Sequence, residues 1–133
     1  FLDEFDLVGT RDPSPFLAAP AGIDFMRELG LDAMRRYQHE LAWESGQILT
    51  RLWGTELSTP RSMVGSMITV PLPARAGSTA AEAQKLRDAL LYEERIEVQM
   101  HAHGGNLWAR VSAQVYVEPA DIERLARTVL ARI

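Results

Sequence analysis

The chain has no cysteine, a single lysine and no long apolar run. The lack of cysteine excludes disulfides, thiolate metal sites and a cysteine nucleophile, and it fits a reducing compartment. No apolar segment approaches the roughly 18 residues of a membrane span, and the first residues do not resemble a signal peptide. We therefore expect a cytoplasmic protein that makes no membrane contact.

Positive charge is also sparse, since 14 lysine and arginine residues stand against 18 aspartate and glutamate residues, giving a net charge of −4. The basic residues are scattered among acids, which argues against nucleic-acid binding. The 133 residues, 47% hydrophobic and 24% charged, have the composition of one globular domain or a little more. The chain begins without methionine, inside an apolar and acidic phrase, so we expect a piece of something longer.

The spacing of apolar residues predicts alternating helices and strands. In chain order these are helix 16–29, helix 31–53, strand 63–70, a helix opened by the capping box Thr79-x-x-Glu82, strand 96–100, strand 107–117 and a helix opened by Pro119. This order predicts an α/β (α+β) fold. Its small mixed or antiparallel sheet should have helices packed on one face, preceded by a long linking helix.

The last predicted strand, residues 107–117, alternates almost cleanly between an apolar and a polar side. Arg110 stands mid-strand on the polar side, among short polar groups, where a guanidinium suits a planar bidentate partner such as a carboxylate. Exposed polar faces are the norm in antiparallel sheets. Alternation alone therefore favours a solvated face on which Arg110 pairs with a nearby glutamate.

The segment 9–15 predicts a loop that leads into a helix, with Asp12 or Ser14 as the cap and a proline in the first turn. A helix start with free amide groups can bind an anion. A capped junction between a loop and a helix is the commoner reading of such a segment.

The other polar residues do not predict a metal site or a catalytic residue. His101 and His103 have a spacing compatible with metal, but no third ligand lies nearby in the sequence, so we expect strand-end or loop histidines and no metal site. Lys85 stands among polar and charged neighbours and is expected to be an ordinary surface residue. His39, next to Glu40 on the long helix, is expected to be solvated.

Two phrases carry a family resemblance. Residues 9–18 (Gly-Thr-Arg-Asp-Pro-Ser-Pro-Phe-Leu-Ala) and residues 107–116 (Leu-Trp-Ala-Arg-Val-Ser-Ala-Gln-Val-Tyr), the latter followed by Asp-Ile-Glu-Arg-Leu at 121–125, resemble class V aminotransferase-fold enzymes of the isopenicillin N epimerase-like group. The match runs in order from end to end. It implies a C-terminal portion, in which residues 1–30 end the large cofactor-binding domain and residues 31–133 form the linking helix and the small domain.

The resemblance also implies a cofactor, pyridoxal 5'-phosphate, an amino-acid-type substrate and a homodimer with active sites at its interface. Thr10, after Gly9, resembles the residue that contacts the cofactor phosphate, and Arg110 resembles the arginine that binds the substrate α-carboxylate. The Schiff-base lysine of the family would lie upstream of the Gly-Thr phrase. We therefore expect no catalytic residue in this stretch, an active full-length enzyme and an inactive isolated fragment.

The chain departs from the family pattern at two places. The loop 101–106 lacks the cysteine of the desulfurase branch, so desulfurase activity is not expected, and Val117 replaces the usual asparagine after the arginine strand. The alternative is a stand-alone, non-catalytic α/β domain that binds a small molecule or a protein. It predicts no large exposed apolar patch, whereas a severed fragment should expose one around residues 1–21.

Overall fold

The computed structural model describes Gly9 and residues 11–133. They form two compact units, one that ends at Ala33 and one that comprises Met34–Ile133. The elements are α1 (Ser14–Glu28), α2 (Leu31–Trp53), β1 (Met67–Pro71), α3 (Ala80–Glu94), β2 (Gln99–His103), β3 (Asn106–Ser112) and α4 (Pro119–Arg132), with short 3-10 turns at Arg61–Met63 and Ala74–Ala76. No helix in this described part is long and apolar enough to cross a membrane.

The first unit contains α1, a weakly amphipathic helix whose residues are all exposed to solvent. Its large apolar side chains are among the most exposed in the described chain, with Leu17 76% and Phe16 67% exposed. Pro15 stands in its first turn, where a missing amide costs nothing, and Pro20 lies inside the helix.

The second unit is built on a three-stranded antiparallel sheet in the order β1-β3-β2. Because successive side chains of a strand point to opposite faces, the apolar residues of all three strands share one face. The buried members of that face are Ile68, Val70, Met100, Leu107, Ala109 and Val111. The sheet is thus the antiparallel one of the two predicted kinds, and the predicted fold class is confirmed.

Three helices cover the apolar face of the sheet and complete one core. Their buried side chains include Leu41, Leu49 and Trp53 from α2, Ala83, Leu86 and Leu90 from α3, and Ile122, Leu125, Ala126 and Val129 from α4. The indole Nε1 of Trp53 donates to the carbonyl oxygen of Ala126 at 3.1 Å, which joins α2 to α4. The opposite face of the sheet carries mostly polar side chains, together with Met67, Pro71 and Trp108.

Local signals placed the helix ends well. The structure has the capping box of Thr79 and Glu82 at the start of α3, and Pro119 is the first residue of α4. Gly54 follows α2 with a φ of 69°, the left-handed conformation that glycine adopts at little cost.

The strand ends differ from the prediction. The strand predicted at 107–117 ends at Ser112, and beyond it Val115 and Tyr116 are exposed. The strand predicted at 96–100 lies at Gln99–His103, because Gly104 and Gly105, both with positive φ, form the tight hairpin turn. The strand predicted from residue 63 begins at Met67, because Arg61–Met63 is a 3-10 turn.

Candidate functional site

The polar face of the sheet is centred on Arg110. This residue lies on β3, the middle strand, directly opposite Thr69 on β1 and Gln99 on β2. Residues two positions apart on a strand share a face. The other side chains of this outer face are therefore Met67, Pro71, His101, His103, Asn106, Trp108 and Ser112.

The Arg110 guanidinium is exposed, and no carboxylate among residues 11–133 forms an ion pair with it. Other arginines are paired: Arg61 contacts Glu40 at 2.5 Å, and Arg132 contacts Glu94 at 2.5 Å. The glutamate pairing that alternation alone favoured for Arg110 is therefore not found in the described part of the chain. A bidentate donor is left available to a ligand.

A pocket of about 790 Å³ opens beside Arg110, on the side of β2. Gln99, Ser112 and Tyr116 line it together with Arg110, and Thr69 does not. The remaining lining residues are the charged Arg87, Glu97 and Asp121 and the apolar Leu91, Ile96, Val98, Val111, Val117, Ile122 and Leu125. Arg110 and its β2 partner Gln99 thus line one pocket, and its β1 partner Thr69 is not among the lining residues.

His101 and His103 lie on the outer face of β2, and His103 is the last residue of that strand, one of the two positions that the sequence suggested. Trp108 stands opposite His101, and its indole Nε1 donates to the carbonyl oxygen of His103 at 2.9 Å. Across the residues that the structure describes, no three side chains of the metal-binding types come together.

Two other candidates lie away from Arg110. Lys85 is exposed on α3 and lines a separate pocket of about 870 Å³. The solvated position expected for His39 is wrong, since this side chain is half-buried and its Nδ1 lies 3.0 Å from the carbonyl oxygen of Val64. That contact fastens α2 to the segment before β1.

The prediction that Asp12 or Ser14 caps α1 is wrong, since Pro13 is at the cap position and makes no side-chain cap hydrogen bond. One carboxylate oxygen of Asp12 accepts from the Ser14 amide at 2.9 Å and from the Ser14 hydroxyl at 2.6 Å. The hydroxyl and then the amide hold the pKa of Asp12 below its ordinary value. Since Pro15 has no amide, the first turn does not offer the row of free N–H groups that an anion site requires.

The predicted cofactor contacts fall just before the start of α1. Thr10 lies outside the described residues. Gly9 is exposed, with a φ of 89°, and no atom of the described residues lies within 4 Å of the place where a Cβ would be. The described residues therefore leave room for a cofactor phosphate beside Gly9. The adjacent donors, the amide and hydroxyl of Ser14, already bond to the Asp12 carboxylate.

The sequence singles out Arg110 but not Gln99, its partner across the strands. The alternation of residues 96–100 predicts that Gln99 is polar and points outward. It does not predict that Gln99 pairs with Arg110, because that register depends on the hairpin turn at Gly104 and Gly105.

Comparisons with known proteins give relatives but no matching family model. The chain is 38% identical to "Probable L-cysteine desulfhydrase, chloroplastic" of Arabidopsis thaliana, over 92% of this chain and 28% of the relative. It is 37% identical to "Isopenicillin N epimerase" of Streptomyces clavuligerus, over 94% of this chain and 31% of the relative. It is 31% identical to "Putative L-cysteine desulfhydrase 1" of Oryza sativa subsp. japonica, over 89% and 28%.

The resemblance carried by the two sequence phrases is confirmed: the chain is related to the class V aminotransferase-like pyridoxal-phosphate enzymes. Two kinds of name occur among these relatives, L-cysteine desulfhydrase and isopenicillin N epimerase. The chain spans 28% to 31% of the length of these relatives, a coverage consistent with a C-terminal fragment.

Proposed function

We propose that this chain is the substrate-carboxylate-binding part of a pyridoxal-phosphate-dependent enzyme that acts at the α-carbon of an amino-acid-type substrate. The observation that supports it is the position of Arg110, exposed at the centre of the polar sheet face and without an ion pair among the described residues. The relatives named as desulfhydrases and epimerases support the same class of enzyme.

In this proposal Arg110 orients the substrate. Its planar guanidinium donates two parallel hydrogen bonds to the α-carboxylate, which fixes the plane of that group. The middle strand is hydrogen-bonded on both sides, so the arginine backbone is held and the Cα–H bond of the substrate keeps one direction. Pyridoxal phosphate, when bound, supplies the electron sink for the bond broken at the α-carbon.

We assign the remaining roles to the full-length protein. Residues 1–30 are proposed to end the cofactor-binding domain, with Gly9 and Thr10 at the phosphate, and residues 31–133 to form the linking helix and the small domain. A lysine outside this stretch is proposed as the Schiff-base partner, because Lys85 lines a different pocket from Arg110. A homodimer is proposed on the family pattern.

The proposal covers only the first step of the reaction. Racemisation, transamination and β-elimination all begin with loss of a substituent from the α-carbon to the same electron sink. Arg110 serves that shared step in each case. Desulfurase chemistry is not proposed, because the loop before β3 has no cysteine. A cytoplasmic location is proposed on the lack of cysteine, although the Arabidopsis thaliana relative is named as chloroplastic.

The alternative, a stand-alone binding domain, has less support. Exposed apolar side chains such as Phe16 and Leu17 lie on α1, within residues 1–21, where a severed fragment should expose them. The stand-alone alternative predicts no large exposed apolar patch.

The test uses the longer enzyme that contains this chain. Replacing Arg110 by alanine should leave the cofactor absorbance unchanged and raise KM for the amino-acid substrate about 10- to 100-fold, the loss of a charge-assisted hydrogen-bonded contact. Arg75→Ala removes another exposed arginine that lines the pocket of Lys85, and it should change neither quantity. An Arg110→Ala enzyme with unaltered KM would rule out the carboxylate role.

A further inference from the structure

We propose that Gln99 is a second contact to the substrate carboxylate and helps to determine specificity for it. This inference rests on the proposed function of Arg110 and adds a residue that the family phrases do not contain. It assigns the side-chain amide of Gln99 as a neutral hydrogen-bond donor beside the guanidinium.

The strand register supports this assignment. Gln99 on β2 and Arg110 on β3 are direct partners, so their side chains leave the same face from Cβ atoms about 4.5–5.5 Å apart. Both residues are exposed. Both side chains are long enough to meet over one small planar group between them.

The pocket distinguishes Gln99 from the other partner of Arg110. Thr69 is the matching residue on β1, at the same level of the sheet, but it does not line the pocket that Arg110 and Gln99 share. A ligand held by Arg110 and lodged in this pocket therefore contacts the β2 side. Thr69 is the natural control for any effect of Gln99.

The amide of Gln99 is also available. Among the described residues it has no hydrogen-bond partner, whereas the amide of Gln38 donates to Gln114 at 2.7 Å and that of Gln84 donates to Asp88 at 2.7 Å. Arg110 likewise has no carboxylate partner there. Two adjacent donors are thus directed outward with no acceptor of their own.

The chemistry of the pair favours a carboxylate. Two oxygens offer about four lone-pair sites, of which a bidentate guanidinium uses two, so the amide can donate to a third. A carboxamide of the same shape has only one oxygen and presents its own donors to the arginine. The pair should therefore reject substrates in which the α-carboxylate is replaced by an amide.

The experiment is an NMR titration of this 133-residue chain with sodium acetate, followed through the side-chain signals of Arg110 Nε–H and Gln99 Nε2–H, with acetamide as the uncharged probe. Acetate should shift both signals and acetamide neither. Gln99→Leu should raise the acetate Kd about 3- to 10-fold, the effect of one hydrogen bond to an exposed ion. Thr69→Val should leave the Kd unchanged.

Four results would each contradict part of the argument. Wild-type affinity in Gln99→Leu, or an equal loss in Thr69→Val, would overturn the role of Gln99 while Arg110 keeps its own. Unchanged acetate binding in Arg110→Ala would instead refute the proposed function of the arginine. Gln99→Glu is the second variant: its carboxylate should pair with Arg110 across the strands and abolish the acetate shift, and retention of that shift would also refute the proposal.

Discussion

At the scale of single residues, the carboxylate of Glu82 shows how much local structure one side chain can hold. One of its oxygens accepts from the amides of Ser78 and Thr79, each at 2.9 Å, and from the Thr79 hydroxyl at 2.7 Å. The Ser78 amide, followed by the Thr79 hydroxyl and amide, lowers the pKa of Glu82 from its ordinary value of 4.5. All three donors favour the charged form.

This arrangement predicts a dependence of stability on pH. Because the pKa of Glu82 is lower in the folded than in the unfolded chain, its carboxylate stabilises the fold above about pH 4.5. That contribution is lost as the pH falls through the lower, folded pKa. A carboxyl-detected NMR titration should give a midpoint below 4.5 for Glu82. Thermal unfolding of Glu82→Gln should lose part of the wild-type change in Tm between neutral and acid pH, and an identical change in both proteins would contradict the prediction.

At the scale of elements, α2 approaches the sheet so closely that one glycine is required. A Cβ at Gly46 would lie 2.5 Å from Cδ1 of Ile68 and 3.1 Å from Cδ2 of Leu57. Ile68 is 3% exposed, so its side chain has little room to yield. An added methyl group at Gly46 would therefore collide with a packed side chain.

We expect Gly46→Ala to lower the free energy of unfolding by about 1–3 kcal/mol through overpacking, in spite of the better helix propensity of alanine. Ile68→Val removes the methyl group that the new Cβ would meet. The double variant should therefore be less destabilised than the sum of the two single variants, which urea unfolding of all three can measure. Simple additivity would show that the two groups do not touch. Gly65→Ala, at a glycine with open space around it, is the control.

The elements also show which features a sequence can reveal. The bounds of α2 agree with prediction because caps and apolar spacing are local properties of the chain. The strand predicted at 107–117 was too long because alternation continues after the ladder ends, where Met67 pairs with Ser112 and the chain turns at Gln114. Arg110 could be named from its own strand, whereas its neighbours Thr69 and Gln99 depend on register and could not.

At the scale of the whole molecule, the two units differ in how far their apolar side chains are buried. The second unit encloses a continuous core, while α1 exposes Phe16, Leu17, Phe25 and others to solvent. Exposed apolar surface of this kind favours association in water.

We expect the isolated chain to self-associate with rising concentration, and Leu17→Ser to reduce the association measured by sedimentation velocity. Tyr92→Ser removes a similarly exposed side chain, 77% against 76%, from the second unit, and it should leave the association unchanged. Equal effects of the two substitutions would mean that α1 is not the responsible surface.

The place of Arg110 in the sheet has one more consequence, for the motions of the site. An inner strand must break hydrogen bonds on both of its edges before its amides can exchange with solvent, so β3 should open less often than β1 or β2. The guanidinium therefore projects from the most slowly exchanging strand of the sheet. Gln99 projects from the edge strand β2, which can fray while β3 stays hydrogen-bonded to β1. The Arg110 guanidinium would then keep a constant direction toward a ligand. The more mobile Gln99 amide could change position to bind ligands of different shape.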